Sequence, residues 1–403
     1  MIVDTAAVSD KDYKRSRHNS RLFIFSRLDL TAMLLPVIVI IWKTAGLSFN
    51  EMLLLQGIFA LFIVLTEVPS GAISDSFKRK YVLIAGNTVL SIATIIYYLG
   101  RNFLVFSIAE SLFGIGVATI SGSDTSLLYD TLILSKEETK FKKILGKAIA
   151  FNAVASSASM LIGGLIGTYY LRLPVLLVSI SFVLRAIICL LMIEPERVRS
   201  KSVKKTTTKS AKLLFTNRTM IAMLFSYLSV MVVQRVAFWA YQPKLLDNGF
   251  NSFYIGLLFA SLNILTAIGS IVISKIKEHH DLSLLLFIMI LETANIFVLW
   301  YFNSLIILST MVIVQFVRGG RGALANSIIQ RRSSSDLRAT IISLISAVSS
   351  LLYFLVSLMF KIFDMSLNLI LFIMLLTSIL ITIIFGYFTT VLNNKNNLMK
   401  TNK

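Results

Sequence analysis

The chain carries twelve apolar segments, each near the ~20 residues that an α-helix needs to cross the hydrocarbon core of a bilayer. They cover residues 22–43, 51–72, 81–100, 103–123, 142–168, 174–193, 219–242, 253–275, 282–302, 304–325, 339–360 and 366–390. The runs are too long for strands and lack the polar–apolar alternation of a membrane barrel. Of 403 residues, 56% are hydrophobic and 15% charged, and the mean hydropathy is +0.80. A soluble domain carries about 25% charged residues. This inventory therefore excludes a cytosolic enzyme, a secreted disulfide domain and a disordered chain. The lone Cys189 allows no intrachain disulfide. A cleavable signal peptide is not expected, because polar and charged residues precede the first segment and that segment is longer than a signal core.

Charge fixes the sidedness. With the N-terminus, alternate loops and C-terminus assigned to the cytoplasm, those regions hold 29 of the 39 Lys and Arg residues. The opposite loops hold five: Lys43, Arg101, Arg172, Lys244 and Lys361. This is a strong positive-inside bias. It accounts for most of the net charge of +19 without nucleic acid. The polar stretch 194–215 is rich in Lys, Arg, Ser and Thr. It reads as a solvated linker, with anionic lipid heads as the alternative ligand. The expected organisation is a cytoplasmic segment 1–21, a six-helix bundle 22–193, the linker 194–215, a second six-helix bundle 216–390 and a cytoplasmic tail 391–403. The fold class is all-α membrane protein, with twelve transmembrane helices in two six-helix halves.

The halves echo each other. Gly122-Ser123-Asp124 ends span four and Gly319-Gly320-Arg321 ends span ten, while Gly71 and Gly269 close spans two and eight. The loop after span two reads Gly71-Ala72-Ile73-Ser74-Asp75-Ser76-Phe77-Lys78-Arg79-Lys80. It resembles the G-x-x-x-D-x-x-G-R-K signature of the major facilitator superfamily, with Lys78 at the second glycine. Glu67-Val68-Pro69-Ser70 resembles the run before it in bacterial members. The resemblance covers the whole chain and implies two six-helix repeats with a substrate site between them.

It also implies a conformational latch. Gly71 would allow close helix approach. Asp75 would sit at the N-terminus of span eleven, near Asp336–Ala339. Arg79 would link Asp75 to Asp124 or Asp130. Two positions depart from the drug–proton antiporter pattern. Glu110 stands where an arginine is usual in span four, and span five has Gly163, Gly164 and Gly167 without a proline. Gly163 and Gly167 are a small-residue pair suited to packing on span eight, which offers Ala260, Ala267 and Gly269.

Ionisable residues at bilayer depth are costly and default to function. The resemblance makes spans one, four, seven and ten cavity-lining, and all four carry charge. Glu110 is the first candidate for a coupled proton and Asp29 the second, each roughly 10 Å from a membrane face. Arg27, Gln234, Arg235, Trp239, Gln315, Arg318 and Arg321 are the candidate substrate contacts. Gln315, Arg318 and Arg321 recur every third residue, and Arg321 is close enough to the cytoplasmic edge to snorkel. Arg185 and Glu292, on peripheral spans, are expected to have structural partners. Trp239, Tyr241 and Gln242 stand at the cavity mouth or in an interfacial aromatic belt.

No metal site is expected, since His18, His279 and His280 form no ligand set. A P-loop is absent from the sequence, so no cofactor is expected and the proton gradient is the expected energy source. The leading function is a proton-coupled exporter of an amphipathic, zwitterionic or anionic small molecule, such as an antibiotic or peptide-like compound. It would work as a monomer in a bacterial cytoplasmic membrane, by alternating access. The alternatives are a proton-coupled uptake symporter for a nutrient, peptide or siderophore, and a non-transporting membrane sensor. The charge bias makes a first testable statement. In a Cys189-free background, Ser202→Cys should label only from the cytoplasmic side and Asn251→Cys from outside. Labelling of Ser202→Cys in intact cells would reverse the topology.

Overall fold

The structure, a computed structural model, describes residues 10–28, 30–195, 214–273, 275, 281–303, 305–332 and 338–401. Every regular element among them is helical. Among the described residues ten helices are long and apolar enough to cross a membrane. The remaining two expected spans differ for physical reasons. Span one is broken into Asp10–Phe25, a 3-10 turn at Thr31–Leu34 and Ile38–Thr44. Pro36 lies in the gap, where its ring removes a backbone donor. Span ten is one unbroken helix, Ile306–Arg332, whose Gln315, Arg318 and Arg321 dilute its apolar character.

The chain forms two compact units. The first comprises residues 1–47, 58–200 and 252–260, and the second residues 48–57, 201–251 and 261–403. The sequence boundary near 194–215 is thus crossed by two short exchanges. The start of span two belongs to the second unit and the start of span eight to the first. Most of the expected linker, residues 196–213, lies outside the described residues.

In the first unit the break in span one leaves carbonyls without helical donors. Arg185 Nε supplies one, donating to Ser26 O at 2.8 Å, and Asn152 Nδ2 another, donating to Arg27 O at 3.1 Å. Glycines set the close approaches. A Cβ on Gly163 would lie 2.5 Å from Met33 O, so span five packs on span one there. A Cβ on Gly164 would lie 2.5 Å from Ser252 O and 3.0 Å from Gly256 Cα. Ser252 Oγ donates to Gly164 O at 3.0 Å. The expected face is corrected in part. Gly163 meets Met33 of span one, Gly167 meets both Val37 of span one and Ser252 of span eight, and Gly164 packs on Ser252 and Gly256 of span eight. Gly71 is corrected too. The helix Phe49–Ser76 runs straight past it, and among the described residues nothing lies within 4 Å of where its side chain would be.

In the second unit close glycine packing also joins spans eight and ten. A Cβ on Gly319 would lie 2.8 Å from Ser270 N, and one on Gly269 2.7 Å from the Phe316 carbonyl carbon. Asn50 Nδ2 donates to Asp364 Oδ1 at 2.9 Å and Lys361 Nζ pairs with Glu51 Oε1 at 2.9 Å. These contacts tie residues 48–57 to the end of the helix Arg338–Ile362. Span seven opens at Asn217, whose side chain accepts from Thr219 N at 2.9 Å. It then changes form, from α-helix Arg218–Leu228 to a π-helical turn Ser229–Gln234 to α-helix Arg235–Asp247.

The N-terminal helix docks onto the first unit through polar contacts outside the spans. Ser16 Oγ donates to Glu137 Oε2 at 2.7 Å, and Asn19 Nδ2 donates to Ile193 O at 2.7 Å and Thr131 Oγ1 at 3.1 Å. Burial alone would raise the Glu137 carboxyl, but hydrogen bonds from Lys140, Ser16 and Ser135 outweigh it and hold it below its ordinary value. A carboxyl depressed on folding stabilises the fold above its unfolded value, and that contribution is lost as pH falls through the folded value. Amide protection factors in residues 10–25, the exchange rates corrected for the intrinsic pH dependence, should therefore fall as pH drops through and below the carboxylate range. Glu137→Gln should flatten that dependence; an unchanged profile would remove Glu137 from the docking.

Candidate functional site

A cavity of about 300 Å³ opens inside the second unit. Spans seven and ten form its polar side, with Gln234, Arg235, Gln315 and Arg318. Phe238, Trp239 and Tyr241 add aromatic surface, and Val230, Met231 and Val314 add apolar wall. The π-helical turn ends at Gln234, immediately before Arg235. Such turns insert one extra residue and re-aim the side chains beyond it, often at functional sites. Gln234 Nε2 donates to Glu292 O at 3.3 Å. Tyr241 is held by its hydroxyl, which donates to Asn295 Oδ1 at 2.7 Å.

Five of the seven expected substrate contacts thus meet in one cavity: Gln234, Arg235, Trp239, Gln315 and Arg318. The other two do not line it. Arg27 lies in the first unit, where it pairs with Asp124 at 2.5 Å and its guanidinium sits 4.7 Å from the Phe23 ring centroid. Arg321 does not snorkel. It is 3% exposed, forms an ion pair with Glu292 and donates to Ser226 O at 2.7 Å. The three-residue spacing explains this. Each residue turns the helix by about 100°, so Arg321 lies about 120° from Gln315 and leaves the face that Gln315 and Arg318 share. Glu292 was expected only to have a structural partner. It has one in Arg321, and it also lines the cavity. Gln56 and Phe238 line it as well and were not singled out in the sequence. Gln56 had a readable signal, as an amide in the middle of an apolar run.

Three of the residues expected in the latch are ion-paired in the first unit. Arg79 forms an ion pair with Asp130, while Asp124 is taken by Arg27. The N-terminus of the helix Arg79–Leu99 receives an anion that the sequence had not suggested: Glu194 accepts from Arg79 N at 2.8 Å and from Lys80 N at 2.9 Å. The side chain of Asp75, and Asp336 with its neighbours 333–337, lie outside the described residues. So does Asp29. Glu110 is buried at 6% exposure and accepts from Tyr97 Oη at 3.1 Å, which in turn accepts from Trp42 Nε1 at 2.5 Å. Arg185, expected to have a structural partner, donates to the Ser26 carbonyl of span one.

An all-helical bundle of membrane-length spans enclosing a charged, aromatic-lined cavity defines a polytopic membrane carrier. The model of the Major Facilitator Superfamily matches residues 22–357, and the chain belongs to that superfamily, a family of transporters rather than enzymes. Among curated relatives, an uncharacterised MFS-type transporter of Methanocaldococcus jannaschii is 25% identical over 184 residues, covering 45% of this chain and 46% of its own. Multidrug resistance protein 2 of Bacillus subtilis is 26% identical over 155 residues, 38% of each chain. The quinolone resistance protein NorA of Staphylococcus aureus is 24% identical over 98 residues, 24% of this chain and 25% of its own. The chain thus spans less than half the length of these relatives. The fold is shared with the nucleoside transporter NupG at a TM-score of 0.75 and 10% identity, covering 93% of this chain and 98% of that one. It is shared also with a bacterial homologue of the human lysosomal transporter Spinster, at a TM-score of 0.69 and 16% identity over 95% and 97% of the two chains.

Removing one member of a buried ion pair strands the other at about 3–5 kcal/mol. Arg321→Met or Glu292→Leu alone should lower the melting temperature of the detergent-solubilised protein sharply. The double variant should recover most of the loss. Single-variant curves matching wild type would mean the pair bears no structural charge.

Proposed function

We propose that the chain is a secondary active transporter that exports an amphipathic small molecule, such as an antibiotic or peptide-like compound, across a bacterial cytoplasmic membrane. The carrying observation is the 300 Å³ cavity, where two arginines and three amides share the wall with three aromatic rings. A surface of that kind binds a ligand with both polar and apolar faces. Export is supported by what two relatives are called, a multidrug resistance protein and a quinolone resistance protein. In this reading both termini are cytoplasmic, the monomer is sufficient, no cofactor is needed and the proton gradient supplies the energy. Glu110 and Asp29 are the proposed proton-carrying acids. The support for Glu110 is its burial beside the Tyr97 hydroxyl.

Expression in a sensitive host should raise resistance to some amphipathic antibiotics in a panel. An uncoupler of the proton gradient should abolish the effect. Glu110→Gln, which mimics the protonated carboxyl permanently, should lose gradient-driven export in inside-out vesicles while inserting normally. Greater sensitivity on expression, with accumulation of the compound inside cells, would point to uptake instead.

A further inference from the structure

We propose that Arg318, with Arg235 beside it, forms an anion subsite in this cavity. The compound taken there is then an aromatic acid with one carboxylate-like group and one or two rings. This rests on the cavity being the substrate site, and it names the chemistry the cavity selects.

The accounting of guanidinium groups carries the inference. Charges removed from water are paired, because an unpaired one is costly. Among the described residues Arg27 pairs with Asp124, Arg79 with Asp130, Arg321 with Glu292 and Arg331 with Asp281. Arg318 has no carboxylate within ion-pair reach among the described residues. Its contact is with a neutral amide, Nη1 donating to Gln315 Oε1 at 3.2 Å. Yet it is accessible within the cavity it lines. A guanidinium has five N–H donors in a fixed fork, and one amide oxygen engages only part of that set. Arg235 lies over the ring of the buried Tyr353, with its guanidinium carbon 4.6 Å from the ring centroid.

The remaining features choose among anions. Glu292 is neutralised by Arg321, while Arg318 lines the same cavity with an amide as its printed contact, so it brings positive charge to the wall. That disfavours a lipophilic cation. Phe238 and Trp239 meet edge to face with centroids 5.4 Å apart, a surface suited to a flat apolar ring. The volume of 300 Å³ equals that of about ten waters, which fits a one- or two-ring acid rather than a long peptide.

The test uses the purified full-length protein in detergent and three carboxylates, benzoate, indolepropionate and naphthylacetate, each beside its primary amide. Binding is measured by calorimetry. Wild type should bind at least one acid in preference to its amide, by about 10- to 100-fold, the range expected for hydrogen bonds to a charged partner. Arg318→Ala should erase the preference, Arg318→Lys should keep part of it, and Arg101→Ala, in an exposed loop, should keep all of it. Melting curves of each variant establish that it is folded. The proposal is overturned if amides bind wild type as well as acids do. It is overturned equally if the preference survives Arg318→Ala, or if no acid of the set binds. Transport separates it from the export reading. Acids that bind with this preference but are not pumped into inside-out vesicles would leave the subsite standing and remove export. Export of neutral compounds with no acid preference would do the reverse.

Discussion

A guanidinium at bilayer depth must meet a counter-charge, a ring face or a ligand, since the bilayer core offers no water to solvate it. Much of this structure depends on how that demand is met. Arg27 and Asp124 hold the broken middle of span one against the end of span four. Arg185 directs its Nε to the Ser26 carbonyl, freed by the same break. Arg321 and Glu292 join spans nine and ten beneath the cavity, and Ser226 of span seven is drawn to the same guanidinium. Each pairing fixes two or three helices at once, whereas Arg318, on the cavity wall, is held by the amide of Gln315.

Backbone irregularity does the complementary work. A uniform α-helix in span seven would carry Gln234 and Arg235 at ordinary spacing from the residues before them. The π-helical turn at Ser229–Gln234 shifts them by one residue. Glycine makes room elsewhere: Gly164 with Gly256 in the first unit, and Gly269 with Gly319 in the second, let backbones touch where any side chain would collide. Such contacts tolerate sliding poorly and so hold the helices that carry the polar groups in register.

These features were unequally legible in the sequence. The spans were readable because hydropathy reports them directly; span one failed as a continuous helix after Phe25 and again at Pro36, of which only the proline is a visible breaker. The cavity residues on spans seven and ten were readable because a charge inside an apolar run stands out. The partners were not. Whether Arg321 snorkels or pairs depends on a glutamate 29 positions away, Glu292. Whether Gly163 meets span one or span eight depends on helix rotation, which a small-residue spacing rule does not fix. Glu194 at the N-terminus of the helix after the signature loop was hidden because helix ends acquire their charge only once folded. Gly71 shows that a position matching a family signature need not be packed in one conformation: among the described residues nothing lies within 4 Å of where its side chain would be.

Span ten shows how little separates a structural arginine from the one proposed to bind a ligand. Arg318 and Arg321 are one turn apart on the same helix. About 60° of rotation puts one on the cavity wall and the other inside the bundle. The buried one needs Glu292, because nothing mobile can reach it. The accessible one would gain nothing lasting from a fixed carboxylate, because a permanent partner would occupy the site in every state. Leaving Arg318 on an amide holds the guanidinium in place through Gln315 without satisfying its charge. A transport site must bind its cargo and also release it. In the proposed subsite, a cation held by an amide, next to a pair already neutralised, would give an anion affinity that water and rearrangement can still undo.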